Sequence, residues 1–139
     1  MRKPILIAAP LLIIVAGAIL FITTRPGDET VAAYGGSDKT WVLAEIGSMD
    51  VAPDATLSFA EPGRITGTAP CNSYSATMSV PYPWFEATEI VVTRMACPEL
   101  AAERAFLDAL AAAAYSEVLD DTLVLSNDDG PLLVFKAGD

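Results

Sequence analysis

Between Pro4 and Ile22 the chain carries no charged residue, and that run constrains where everything after it can fold. About 19 residues at ~1.5 Å each span ~28 Å as a helix, close to the ~30 Å hydrocarbon thickness of a bilayer. Arg2 and Lys3 precede the run, whereas Asp28 and Glu29 follow soon after Arg25. The positive-inside bias then leaves the N-terminus in the cytoplasm and carries Tyr34 onward across the membrane. Residues 1–24 are accordingly read as a transmembrane signal anchor, with residues 4–22 in contact with lipid. A cleavable signal peptide has a shorter apolar core followed closely by a small-x-small site. Val31-Ala32-Ala33 lies rather far beyond this core, so the spacing favours retention and leaves cleavage after Ala33 as the alternative. Val15-Ala16-Gly17-Ala18 resembles a lipoprotein box, but an alanine stands where the lipidated cysteine would be.

Of the 139 residues, what remains is enough for one ordinary domain. Thr23 to Asp38 is rich in Thr, Gly, Asp and Ala without periodicity, which predicts a flexible tether over residues 25–39 and a domain over 40–139. Formal charge is -10. Arg25, Lys39, Arg64, Arg94, Arg104 and Lys136 are scattered singly, so no basic patch exists to displace counterions from a phosphate backbone. Nucleic-acid binding is therefore excluded.

Alternation of apolar and polar residues predicts strands over Thr40–Ile46, Ala55–Phe59 and Arg64–Ala69, with Pro53-Asp54 and Gly63 as turn signals. Pro81-Tyr82-Pro83 interrupts pairing because proline lacks the ladder donor, and strand-rich composition resumes from Trp84 to Val92. Pro98 and Glu99 suit the first turn of a helix whose apolar stripe is Leu100, Phe106, Leu107, Leu110 and Ala114. Three short strands follow, Tyr115–Leu119, Thr122–Ser126 and Leu132–Lys136, separated by acidic turns. Many strands and one amphipathic helix give an α+β class, mostly antiparallel β, in place of a doubly wound fold.

No histidine occurs anywhere, which removes the usual general base, the commonest transition-metal ligand and the Ser-His or Cys-His nucleophile pairs. Asp120-Asp121 and Asp128-Asp129 sit where solvated turns are expected. The serines at 58, 73, 75 and 79 have no lysine at a diagnostic spacing. No catalytic residue, metal ligand or cofactor is assigned, and the chain reads as a non-enzyme. The two cysteines, Cys71 and Cys97, lie in an exported domain, where an even count favours a disulfide over free buried thiols. Closing about 26 residues would contribute on the order of 3.5 kcal/mol in the chain-entropy model.

Two stretches then carry a family resemblance: Gly67-Thr68-Ala69-Pro70-Cys71-Asn72-Ser73-Tyr74-Ser75, and Thr93-Arg94-Met95-Ala96-Cys97-Pro98. Together with Trp41-Val42-Leu43, Glu103-Arg104-Ala105-Phe106-Leu107 and Asp121-Thr122-Leu123-Val124-Leu125, they resemble the META or HslJ-like domain family over nearly everything after the tether. The resemblance implies a barrel-like antiparallel sheet with one helix, in a bacterial envelope protein. That places the anchor in the inner membrane as a single pass and the domain in the periplasm. Heat-shock association and novobiocin tolerance attach to the family, but no general biochemical activity does. The sequence departs from the family at Ala76, where glycine is common, and in the Pro81–Trp84 patch.

Within the signature, Asn72 suits turn hydrogen bonding, Tyr74 a buried ring with a paired hydroxyl, and Arg94 a loop anchor. The sharper expectation is that Asn72, Tyr74, Thr93 and Arg94 converge beside the cysteines as a binding surface. Three functions compete: an envelope-maintenance domain acting under stress through an unknown envelope protein or small ligand, an acidic module sequestering a cationic protein, and a carrier using a barrel interior.

Overall fold

The computed structural model describes residues 27–47 and 49–138. The expected anchor over residues 1–24 lies outside them, and among the described residues no helix is long and apolar enough to cross a membrane. The strands are β1 (Thr40–Ile46), β2 (Thr56–Glu61), β3 (Arg64–Thr68), β4 (Ser73–Thr77), β5 (Thr88–Val92), β6 (Tyr115–Leu119), β7 (Thr122–Asn127) and β8 (Gly130–Ala137), with helix α1 (Leu100–Ala112) between β5 and β6. They form one eight-stranded sheet in the order β5-β4-β3-β2-β1-β8-β7-β6. Every pairing is antiparallel.

The turns follow from local chemistry. Two-residue loops close Glu61 onto Arg64, Leu119 onto Thr122 and Asn127 onto Gly130. Gly63 and Asp120 take positive φ, at 74° and 51°, in two of these turns, the left-handed conformation that glycine and the short acidic or amide side chains accept most readily. Along β1, Trp41 and Leu43 face inward, and a shift in pairing with β8 between Leu43 and Glu45 lets Ile46 be buried instead of Glu45.

Alternation puts Trp41, Leu57, Ile65, Tyr74, Leu123, Leu125, Leu133 and Phe135 in the interior. Helix α1 covers this core. Phe106, completely buried, meets Tyr74 of β4 edge-on at 5.5 Å between ring centroids and Phe135 of β8 at 6.4 Å. One helical side chain therefore bridges distant strands of the sheet. The buried face of α1 is Glu103, Phe106 and Leu110, continued by Ala113. Leu100, expected in the stripe, is 44 % exposed, and Leu107 is only half-buried. The stripe is rotated toward a position that carries a carboxylate.

Two expectations need correction. The barrel-like closure is not formed: β5 and β6 end the sheet on opposite sides and do not pair. The segment before β5 meets β6 instead. Phe85 N donates to Ala114 O at 2.9 Å, Ser116 N donates to Pro83 O at 2.8 Å, and a single bridge joins Trp84 to Tyr115. Pro81 and Pro83 have no amide to extend that contact into a ladder. The tether also differs, because Val31–Tyr34 form a 3-10 turn. Val31 and Ala32 are buried, and Trp41 Nε1 donates to Gly36 O at 2.9 Å. The packed part of the chain thus begins near Thr30, ahead of the expected start at Thr40.

Candidate functional site

The signature residues meet where β4 begins, where the chain leaves β5 and where α1 starts. Cys71 and Cys97 form a disulfide with Cα atoms 6.0 Å apart, which ties the entry of β4 to the approach of α1. Beside it, Asn72 is buried and spends its whole amide on the fold. Its Oδ1 accepts from Met95 N at 2.6 Å and from Thr93 Oγ1 at 3.0 Å. Its Nδ2 donates to Met95 O at 3.3 Å and to Glu103 Oε2 at 2.8 Å. Two donor hydrogens and two acceptor lone pairs are the full capacity of an asparagine side chain. No aliphatic residue and no aspartate reproduces that set.

Glu103 closes the arrangement from the helix. Only 5 % exposed, it accepts from Cys71 N at 3.1 Å and Asn72 N at 2.8 Å through Oε1, besides the Asn72 amide at Oε2. A carboxylate on the apolar stripe of a helix is costly unless its oxygens are paired, and here three donors pair it. Thr93 completes the clasp: Ser73 N donates to its Oγ1 at 3.1 Å, and Thr93 N donates to Ser73 O at 3.0 Å. Among the described residues no buried side-chain polar atom lacks a partner.

The glycine of the signature has a separate reason. Gly67 pairs with Tyr74 across β3 and β4, and the Tyr74 hydroxyl donates to Thr56 O on β2 at 2.7 Å. A Cβ built on Gly67 would lie 2.1 Å from Thr56 O and 2.9 Å from the Tyr74 hydroxyl. The bare backbone of β3 leaves the room for that reach. Burial, with the loss of water around the phenolate, holds the Tyr74 hydroxyl well above its usual 10.0. Ala76, the departure from the family, is buried in β4 opposite Ile65, so the strand simply continues through it.

The four expected surface residues therefore take different roles. Asn72 and Thr93 come together and bond to each other. Tyr74 turns inward against Phe106. Arg94 is exposed and makes no hydrogen bond or ion pair among the described residues. Glu103 was not expected at the site, although its position three residues before Phe106 and seven before Leu110 signals a carboxylate aimed inward and in need of donors. Outside the clasp lies an open depression of about 330 Å³ bordered by Arg94, Met95, Ala96 and Leu100, with Met95 65 % exposed. Glu99 brings a carboxylate oxygen within 4.8 Å of both cysteine sulfurs, but sulfurs bonded to each other offer no thiolate to a metal.

Solved structures share this architecture. The protein from Burkholderia xenovorans determined by NMR superposes with a TM-score of 0.59 at 24 % identity, covering 78 % of this chain and 87 % of that one. A DUF4847 family protein from Bacteroides vulgatus superposes at 0.57 with 13 % identity, covering 78 % of this chain and 97 % of its own. At these identities the likeness shows the fold. No curated protein matches the sequence. The model of the META domain matches residues 35–139, a span that includes the Gly67-to-Tyr74 reach, the Asn72 clasp and the Glu103 helix, and the chain belongs to the META domain family.

Proposed function

We propose that this protein is a non-enzymatic, single-pass inner-membrane protein that holds its META domain in the periplasm and supports the envelope under stress through a partner bound at the clasp. The observation that carries the reading is how the clasp divides its residues. Asn72, Thr93 and Glu103 are consumed by bonds to one another and to backbone, which leaves none of the three free to act as acid, base or nucleophile. What they hold in place is an exposed tip, Arg94-Met95-Ala96, beside Leu100. A cation next to a flexible thioether on a rigid support suits recognition of another molecule. The carrier alternative loses the space it requires, since Trp41, Phe106 and Phe135 fill the middle of the sheet.

The test is deletion of the chromosomal gene followed by complementation with wild type, Arg94→Ala/Met95→Ala or Arg104→Ala, the last an exposed helix residue that does not border the depression. Deletion should sensitise cells to heat and to envelope-excluded antibiotics. Wild type and Arg104→Ala should restore tolerance, and the tip variant, present at equal level and folded, should not. A deletion strain indistinguishable from its parent under both stresses, or full rescue by the tip variant, would refute the reading.

A further inference from the structure

The described chain begins at Gly27, and its entry is fastened to the proline-rich loop: Tyr82 N donates to Glu29 O at 2.7 Å. The rings of Tyr34 and Tyr82 stack with centroids 4.7 Å apart. Gly27, Asp28 and Glu29 share a depression with Pro81. Pro81 also borders an apolar groove of about 530 Å³, together with Val80, Trp84, Ala111 and Ala112. Trp84 is 53 % exposed and Tyr34 55 %. Entry point, aromatic loop and apolar groove thus form one continuous face.

Thr23 to Pro26 are the only residues between Ile22 and Gly27, and an extended chain covers at most ~3.5 Å per residue, or roughly 18 Å over that gap. On the proposed reading that residues 4–22 span the bilayer, this face cannot move far from the membrane surface. Tryptophan and tyrosine partition to the headgroup level, where the ring body is dehydrated and the polar edge stays wet. We infer that this face rests on the bilayer, with Trp84 and Tyr34 in the headgroup layer and phospholipid filling the groove between Trp84 and the end of α1. Asp28, Glu29 and Glu86 border the same depressions, so the surface it fits is zwitterionic lipid. The placement also orients the molecule. The groove lies at the C-terminal end of α1, at Ala111 and Ala112, and the clasp near its N-terminal end, at Glu103, roughly 13 Å apart along the helix, so the Arg94-Met95 tip lies on the side away from the membrane.

The test uses the full chain in phosphatidylcholine vesicles. Flotation first establishes whether the chain stays with the bilayer. Trp41 is completely buried, so quenching by a nitroxide label high on the acyl chain should remove the Trp84 share of the emission, roughly half with two tryptophans present. Trp84→Phe should abolish the quenching while still floating. Partial replacement by anionic lipid at low ionic strength should weaken it. A chain that floats but keeps Trp84 unquenched by lipid and open to aqueous acrylamide overturns the placement and leaves the anchor intact. A chain that does not float overturns the anchor and the placement with it. Stronger quenching on anionic lipid, or protection of Trp84 only after periplasmic proteins are added, also overturns the assignment to zwitterionic lipid.

Discussion

Glu103→Gln isolates the bond set that joins the helix to the signature. The variant is nearly isosteric, so packing around Phe106 and Leu110 is preserved. Its remaining carbonyl oxygen can still accept from Cys71 N and Asn72 N, but those bonds lose charge assistance, at about 1 kcal/mol each. The new NH2 group then faces Asn72 Nδ2, donor against donor, where a 2.8 Å bond stood. Asn72 cannot rotate to relieve this, because its Oδ1 is held by Met95 N and Thr93 Oγ1. Relief of the buried charge offsets part of the loss, leaving a net of about 2 kcal/mol, or roughly 8–12 °C in Tm for a domain of this size.

Asn72→Asp alone sets two carboxylates together and should cost more. The exchanged pair, Asn72→Asp with Glu103→Gln, restores a donor facing an acceptor and should be more stable than Asn72→Asp, with a coupling of at least about 1 kcal/mol. Urea titrations of the four proteins measure the cycle. A Glu103→Gln variant within about 0.5 kcal/mol of wild type, or losses that simply add, would refute the clasp as an energetic unit.

Gly67→Ala drives a methyl into the Thr56 carbonyl and should cost about 3 kcal/mol or more; Tyr74→Phe in the same chain should rescue little, since the backbone clash remains, and a loss under about 1 kcal/mol measured by denaturation would contradict the geometry. Cys71→Ala/Cys97→Ala should lower stability by about 3 kcal/mol through the larger entropy of the unfolded chain, with faster amide exchange at Thr93–Ala96; unchanged exchange there would show that the disulfide does not hold the clasp. Because burial raises the Tyr74 hydroxyl, its contribution is complete below the unfolded value near pH 10 and is lost as pH rises from there toward the folded value. Stability measured between about pH 10 and 11.5 should therefore fall less steeply in Tyr74→Phe than in wild type, and parallel slopes would show that the ring is not dehydrated.

Strand alternation located β1, β2, β3, β6, β7 and β8 to within two residues at each end, with Gly, Asn or Asp in the turns between them. β4 was harder to see. Its Ser-Tyr-Ser-Ala-Thr run has only Tyr74 as a large apolar residue, and its second inward position is filled by the small Ala76. Val31 and Ala32 read as tether from sequence because four residues of 3-10 turn show no period, and their burial depends on β6 and β1 arriving from elsewhere in the chain. At the site, the cysteines, Asn72, Thr93 and Arg94 stood out as a signature without revealing which of them face inward.

The sequence by itself determined the acidic, histidine-free chemistry, the apolar run at the N-terminus and the antiparallel class, because composition and period-two alternation are local properties of the chain. Only the tertiary structure decided that the sheet stays open, because that depends on the Pro83–Phe85 segment, in place of β5, meeting the edge of β6. It also decided that Glu103 is a member of the signature, which depends on a helix more than thirty residues downstream setting its carboxylate against three donors whose positions no local pattern specifies.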